Sequence, residues 1–188
     1  SPITTWRAHK NEAEIAGFRL AMRHDGVALT RFRRELDDKI ADGSINQETE
    51  WSIAERLEEI RAENSEYRGL SFATIAGFAG NGAIVHYEAT AEDHAQLANR
   101  SFLLLDSGAH YVSGTTDITR TIPLGAITDE EKKAYTLVLK GMIQLSMAHF
   151  PVGTTGLALD FAARQAMWRE GYDFGHGTGH GVGSHLCV

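Results

Sequence analysis

The sequence predicts an α+β domain, a curved antiparallel sheet with helices packed on one side. Three observations carry this. Apolar residues recur with a 3.6-residue period through the first forty positions. Between Gly69 and Ile122 the text changes to short apolar runs broken by glycine-containing turns. From Thr128 onward a capping box opens another helical stretch.

Each element follows in order. Ile15, Phe18, Met22, Leu29, Phe32, Leu36 and Ile40 fall three, four or seven residues apart and make one helical stripe, which Gly43 ends. Charged residues fill the opposite face. A second amphipathic helix buries Ile53, Leu57 and Ile60 and leaves its Glu/Arg run solvated. Residues 70–75 and 83–87 read as short strands, separated by tight turns at Gly77, Gly80 and Gly82. Residues 93–100 are a polar connector. The apolar run at 101–105 reads as a buried strand, followed by strands near 109–112 and 118–122 in an antiparallel meander. Thr128-Asp129-Glu130-Glu131 starts a third helix that runs to about His149, where Pro151 and Gly153 stop it. A fourth helix covers roughly 157–170 and ends at Gly171. The last segment, from Phe174 to His185, is rich in glycine and histidine.

Composition narrows the function. Among 188 residues, 43% are hydrophobic and 23% charged, the balance of an ordinary globular domain. The net charge of -7, with no basic run, argues against an electrostatic nucleic-acid surface. No apolar stretch approaches the ~20 residues of a membrane span. The single cysteine, Cys187, cannot form an internal disulfide, which fits a reducing compartment. The chain opens Ser1-Pro2-Ile3 without an initiating Met, so residues 1–8 are expected to be a linker or the end of a preceding domain.

Four features bear on chemistry. Asp106 ends an apolar strand, where a carboxylate is costly unless paired or metal-bound, and Asp117 follows after two turns. A hairpin return can bring both into one site, although Asp in Asp-Ser-Gly is also a common turn residue. His176 and His180 lie four apart in a tract whose alternate glycines disfavour a helix. They either share one face of an extended segment as metal ligands or decorate an exposed loop. His86 sits at the end of Ile84-Val85-His86 and is a catalytic histidine or an ordinary turn residue. No phosphate-binding glycine loop and no nucleophile elbow is present. Nothing supports Cys187 as a nucleophile.

Taken together, Leu104-Leu105-Asp106-Ser107-Gly108, Gly114-Thr115-Thr116-Asp117-Ile118-Thr119-Arg120-Thr121 and His176-Gly177-Thr178-Gly179-His180-Gly181-Val182-Gly183 resemble the pita-bread metallopeptidases. Within them the pattern is most similar to the cytosolic three-domain aminopeptidase P branch. The likeness runs from about Gly69 to the last residue, and more loosely through the two leading helices.

The resemblance implies that residues 9–188 are the first part of a pita-bread catalytic domain whose second part is missing. It implies two divalent metal ions, with Mn²⁺ the first choice and Zn²⁺ or Co²⁺ possible. By the same resemblance Asp106 chelates one metal, Asp117 bridges both and His180 binds the second. His86 would handle protons or orient substrate at the scissile bond, and His176 would line the substrate pocket. His185 matches no functional position. Two Glu ligands would follow Val188, so the chain alone is expected to be inactive and to hold at most one weakly bound metal. The implied reaction is hydrolysis of the N-terminal Xaa-Pro bond of a peptide. The implied setting is cytoplasmic, as a homodimer at full length, with no nucleic-acid or membrane partner. Two other readings stay open: a catalytically inactive pita-bread binding module, and a sibling enzyme such as an Xaa-Pro dipeptidase.

Overall fold

The computed structural model describes residues 2–185 and 188, so Cys187 lies outside the described residues. The chain divides into two compact units, one of residues up to 126 together with 181 onward, the other of residues 127–180.

The first unit contains α1 (Pro2–Ala8), α2 (Glu12–Asp42), α3 (Glu50–Ala62), β1 (Tyr67–Leu70), β2 (Ile75–Phe78), β3 (Phe102–Ser107), β4 (Ala109–Tyr111), β5 (Gly114–Thr115) and β6 (Ile118–Pro123). The short helix α1 occupies what the sequence suggested as a linker. A capping box between Asn11 and Glu14 starts α2, and Gly43 ends it at φ 81°, a conformation glycine adopts without steric cost. The strands make two antiparallel three-stranded sheets, β1-β4-β5 and β2-β3-β6, where one curved meander was expected. The direct turn from β3 to β4 passes the chain from one sheet to the other.

Helix α2, at 31 residues about 46 Å long, packs on both sheets. Its C-terminal half buries Phe32 and Leu36 with Ile53, Leu57 and Ile60 of α3 against Ala76, Leu103, Leu105 and Ile122. Its N-terminal half places Ala21 against Ala109 and Tyr111. Near that end Gly17 is needed for contact, since a Cβ there would stand 2.1 Å from the carbonyl oxygen of Ser113. Apolar burial at about 1.5–3 kcal/mol per large side chain makes the α2–α3–β2-β3-β6 layer the main stabilising core.

The structure corrects several expectations. Ile15 and Met22 of the predicted stripe are 41% and 45% exposed, whereas Asp25 on the same helix is fully buried. The α2 stripe therefore turns toward small and polar residues where it meets the second sheet. Glu50 and Arg61 of the supposedly solvated α3 face are also 0% exposed. Residues 71–74 separate β1 from β2 instead of joining one strand. Residues 83–87 are not a strand. A 3₁₀ turn at Ala79–Ala83 folds back over β2, so closely that a Cβ on Gly77 would stand 2.8 Å from Gly82. Strand β3 buries Leu103, Leu105 and Ser107 and leaves Phe102, Leu104 and Asp106 half-buried, so its apolar run is covered fully on one face only.

The second unit contains α4 (Asp129–Ser146) and α5 (Gly156–Trp168). The predicted Thr128–Glu131 capping box is present. The two helices meet at Gly141, where a Cβ would fall 2.0 Å from the Ala163 carbonyl oxygen. Leu137, Ala166 and Met167 form the small core, with Tyr172 and Phe174 packed against it. Among the described residues, no helix is long and apolar enough to cross a membrane.

Candidate active site

Strand pairing brings the two aspartates together. Asp106 pairs with Thr119 across β3 and β6, and Thr119 Oγ1 donates to Asp106 Oδ1 at 2.7 Å. Asp117 stands one residue before β6. Thr116 and Ile118 on either side of it are buried, while Asp117 and Thr119 are not. Alternation thus returns Asp117 to the face that carries Asp106, as its diagonal neighbour. This is the face of the β2-β3-β6 sheet turned away from the helical core.

The opposite, buried side holds this corner in place. Arg61 on α3 and Asp25 on α2 form a bidentate pair, with Nε to Oδ1 at 2.7 Å and Nη2 to Oδ2 at 3.0 Å. Arg61 Nη2 also donates to Oγ of Ser107, the residue after Asp106, at 3.1 Å. Thr116, the residue before Asp117, donates from Oγ1 to Asp25 Oδ2 at 2.5 Å and accepts from the Ala109 amide at 3.0 Å. The same ion pair therefore grips the immediate neighbours of both aspartates. Tyr111 Oη donates to Asp25 Oδ1 at 3.4 Å, and burial first, then the Asp25 charge, pushes its hydroxyl above the usual range. Gly108 lets the strands close on each other, since a Cβ there would be 2.0 Å from the Thr116 carbonyl oxygen.

His86 belongs to the same unit. It is exposed, in a turn after the 3₁₀ segment, with φ 56° in the left-handed region. A non-glycine residue keeps that conformation only where its surroundings impose it. His185 lies with its ring 5.1 Å from that of His110, a neighbour that sequence reading did not foresee. Burial, followed by the nearby His185, holds the His110 imidazole below its ordinary value.

His176 and His180 belong to the second unit, in a tract without regular secondary structure, and both are exposed. The His176 ring stacks on Phe174 at 4.8 Å between centroids. Arg164 on α5 organises this tract. Its Nε donates to Asp160 at 2.7 Å, Nη1 to Asp173 Oδ1 at 2.8 Å and to the Phe174 carbonyl at 2.6 Å, and Nη2 to the His176 carbonyl at 2.9 Å. Its guanidinium also lies 3.8 Å over the Phe174 ring. Thr178 Oγ1 donates to the other oxygen of Asp160. Sequence reasoning missed Arg164, although its four-residue spacing from Asp160 on a predicted helix was a usable signal.

Two carboxylates on one sheet face suit a hard divalent cation, and an imidazole extends the set to borderline ions. Within neither unit do three His, Cys, Asp or Glu side chains among the described residues cluster as a ready-made metal site. Asp106 and Asp117 are thus two carboxylates on one sheet face, held from behind by the Asp25–Arg61 pair.

Residues 16–188 match the family model of metallopeptidase family M24. Along its whole length the chain is 47% identical over 191 residues to a protein of Ajellomyces capsulatus described as a probable Xaa-Pro aminopeptidase P, of which it covers 30%. A protein of Paracoccidioides brasiliensis with the same description is likewise 47% identical. The chain therefore spans about 30% of the length of the curated relatives it matches. Among solved structures, it resembles the X-prolyl aminopeptidase of Caenorhabditis elegans, described as a cytosolic enzyme with a di-nuclear active site, with TM-score 0.94 and 39% identity. That match covers 100% of this chain and 30% of the other. The X-Pro aminopeptidase of Thermotoga maritima matches with TM-score 0.81 and 28% identity, over 98% of this chain and 49% of that one.

Proposed function

Because the chain belongs to metallopeptidase family M24 and carries its pita-bread α+β fold, we propose that residues 9–188 are the first part of the catalytic domain of an Xaa-Pro aminopeptidase. The complete protein hydrolyses the bond between the first residue of a peptide and a proline in second position. The observation that carries this reading is the pair Asp106 and Asp117 on one face of β3–β6, within a chain alike over its full length to Xaa-Pro aminopeptidases.

In this reading Asp106, Asp117 and His180 would contribute to holding two divalent ions. Mn²⁺ is the preferred ion, with Zn²⁺ or Co²⁺ as substitutes. When bound, such ions supply Lewis-acid polarisation of the peptide carbonyl and activation of water. Asp117 would contribute to holding both ions and Asp106 to holding one of them, each supplying negative charge. His86 hands protons between the reacting groups or orients the scissile bond, and His176 lines the substrate pocket. The protein works in the cytoplasm as a homodimer.

The test is substrate profiling of the full-length protein with Mn²⁺, Zn²⁺ or Co²⁺ added back after chelation. The expected result is release of the first residue from Xaa-Pro peptides of three or more residues. Cleavage confined to Xaa-Pro dipeptides would indicate the sibling dipeptidase. Binding of such peptides without hydrolysis under every metal would indicate an inactive module.

A further inference from the structure

Glu50 is a fully buried carboxylate that the proposed reaction does not use. It stands in the first turn of α3, where the positive end of the helix favours a negative charge. Among the described residues, the hydrogen bonds of its carboxylate reach one segment of chain. Oε1 accepts from the Phe78 amide at 2.6 Å and from Asn81 Nδ2 at 3.0 Å. Oε2 accepts from Tyr87 Oη at 2.6 Å, from the Ala95 amide at 2.7 Å and from Asn81 Nδ2 at 3.2 Å. Its own amide donates to the Ala95 carbonyl at 3.0 Å.

These partners bracket His86. Phe78 and Ala95 are the entry and exit of the segment, and Asn81 and Tyr87 flank the histidine inside it. Apart from the 3₁₀ turn at Ala79–Ala83, the segment has no helix or strand of its own that would fix its course. Tyr87 is adjacent to His86, and Asn81 Nδ2 donates to Tyr87 Oη at 3.0 Å, so the phenol is held from two sides. Burial, then the bond to Glu50, pushes the Tyr87 hydroxyl up to about 12. The left-handed backbone of His86, at φ 56°, needs such external support.

A buried carboxylate is not the cheapest way to fill this space. Apolar groups of similar volume commonly do as well or better for stability than buried charge. What a carboxylate adds is direction, because it collects several donors at fixed angles.

We propose that Glu50 is a positioning residue that sets the location of the His86 imidazole through Tyr87, Asn81 and the two ends of the 78–95 segment. This rests on the reading of His86 as a participant in peptide cleavage. Glu50 touches no reacting atom, so its influence passes only through His86.

A double-mutant cycle in the full-length, metal-loaded enzyme tests this. Glu50→Gln keeps the volume but turns one acceptor into a donor facing other donors. It is expected to lower kcat by about 10- to 100-fold, the range of a small misplacement of a reacting group, with bound metal and KM little changed. In a His86→Ala background the same substitution should cost less than about threefold, because the group it positions is gone. Tyr87→Phe removes a single bond and serves if Glu50→Gln folds poorly by circular dichroism. It should show a smaller kcat loss that also vanishes with His86→Ala. Equal losses in both backgrounds, or no loss with native His86, would overturn the role of Glu50. A His86→Ala enzyme with undiminished kcat would instead remove the role of His86, and the proposal with it.

Discussion

The aspartate corner and the histidine tract carry the same kind of candidate residue on opposite kinds of support. Asp106 and Asp117 are each one residue from a fully buried side chain, Ser107 or Thr116, and both of those join the Asp25–Arg61 pair. His176 and His180 lie on an exposed, irregular segment organised by Arg164. The corner is over-determined by groups from two helices and two sheets. The tract is tied mainly by Arg164 and by the Thr178–Asp160 hydrogen bond, and has glycines at alternate positions. The comparison teaches that the interior of this chain presets its carboxylates, whereas the histidines depend on a local clamp.

Four experiments on the complete protein would break or sharpen that contrast. The largest effect is expected from Asp117→Asn, which removes a charge and an anionic oxygen donor where the proposed ions meet. Peptide release should disappear even at saturating Mn²⁺, and retained turnover would sink the assignment of Asp117.

Next comes Arg61→Met, which leaves Asp25 buried without its partner. The expected loss is about 3–5 kcal/mol of stability, seen as a lowered melting temperature. Adding Asp25→Leu should recover part of it, because the stranded charge is then gone. A single variant as stable as the parent would mean that the pair does not hold the corner.

Arg164→Ala should act differently. It is expected to speed amide exchange at residues 173–178 and to raise KM, with a smaller drop in melting temperature than Arg61→Met. Unchanged exchange there would show that the tract is held by something else.

The smallest effect concerns acidity. The Thr178 hydroxyl first, then Arg164, lowers the Asp160 carboxyl, and Arg164 first lowers that of Asp173. Carboxyls depressed in the fold contribute stability above their unfolded values and lose it as pH falls through the depressed ones. Exchange at 173–178, corrected for its intrinsic pH dependence, should therefore stay flat above pH about 5 and rise below about 4. A rise near neutral pH would point to a histidine instead.

The four main helices were legible because each repeats its apolar residues locally and ends at a glycine or carries a cap, as with Gly43, Thr128 and Gly171. Asp106 and Asp117 stood out by their flanking motif. The strand reading at 83–87 failed because its apolar residues suit a strand locally, yet close packing of Gly82 on Gly77 turns the chain instead. Met22 failed for a related reason, since period alone does not say which part of a long helix meets which sheet.

The sequence by itself determined the fold class, most of the helices, the family resemblance and the two aspartates, since these rest on local spacing and contiguous motifs. Only the tertiary structure decided that Asp25, Glu50 and Arg61 lie inside. Charged side chains on amphipathic helices ordinarily face water, and burial is tolerable only where partners meet them. Those partners are remote in the chain: Arg61 is 36 residues from Asp25, Thr116 is 91 from Asp25, and Tyr87 is 37 from Glu50. No local pattern encodes such a meeting, because it exists only once two helices and two sheets have packed.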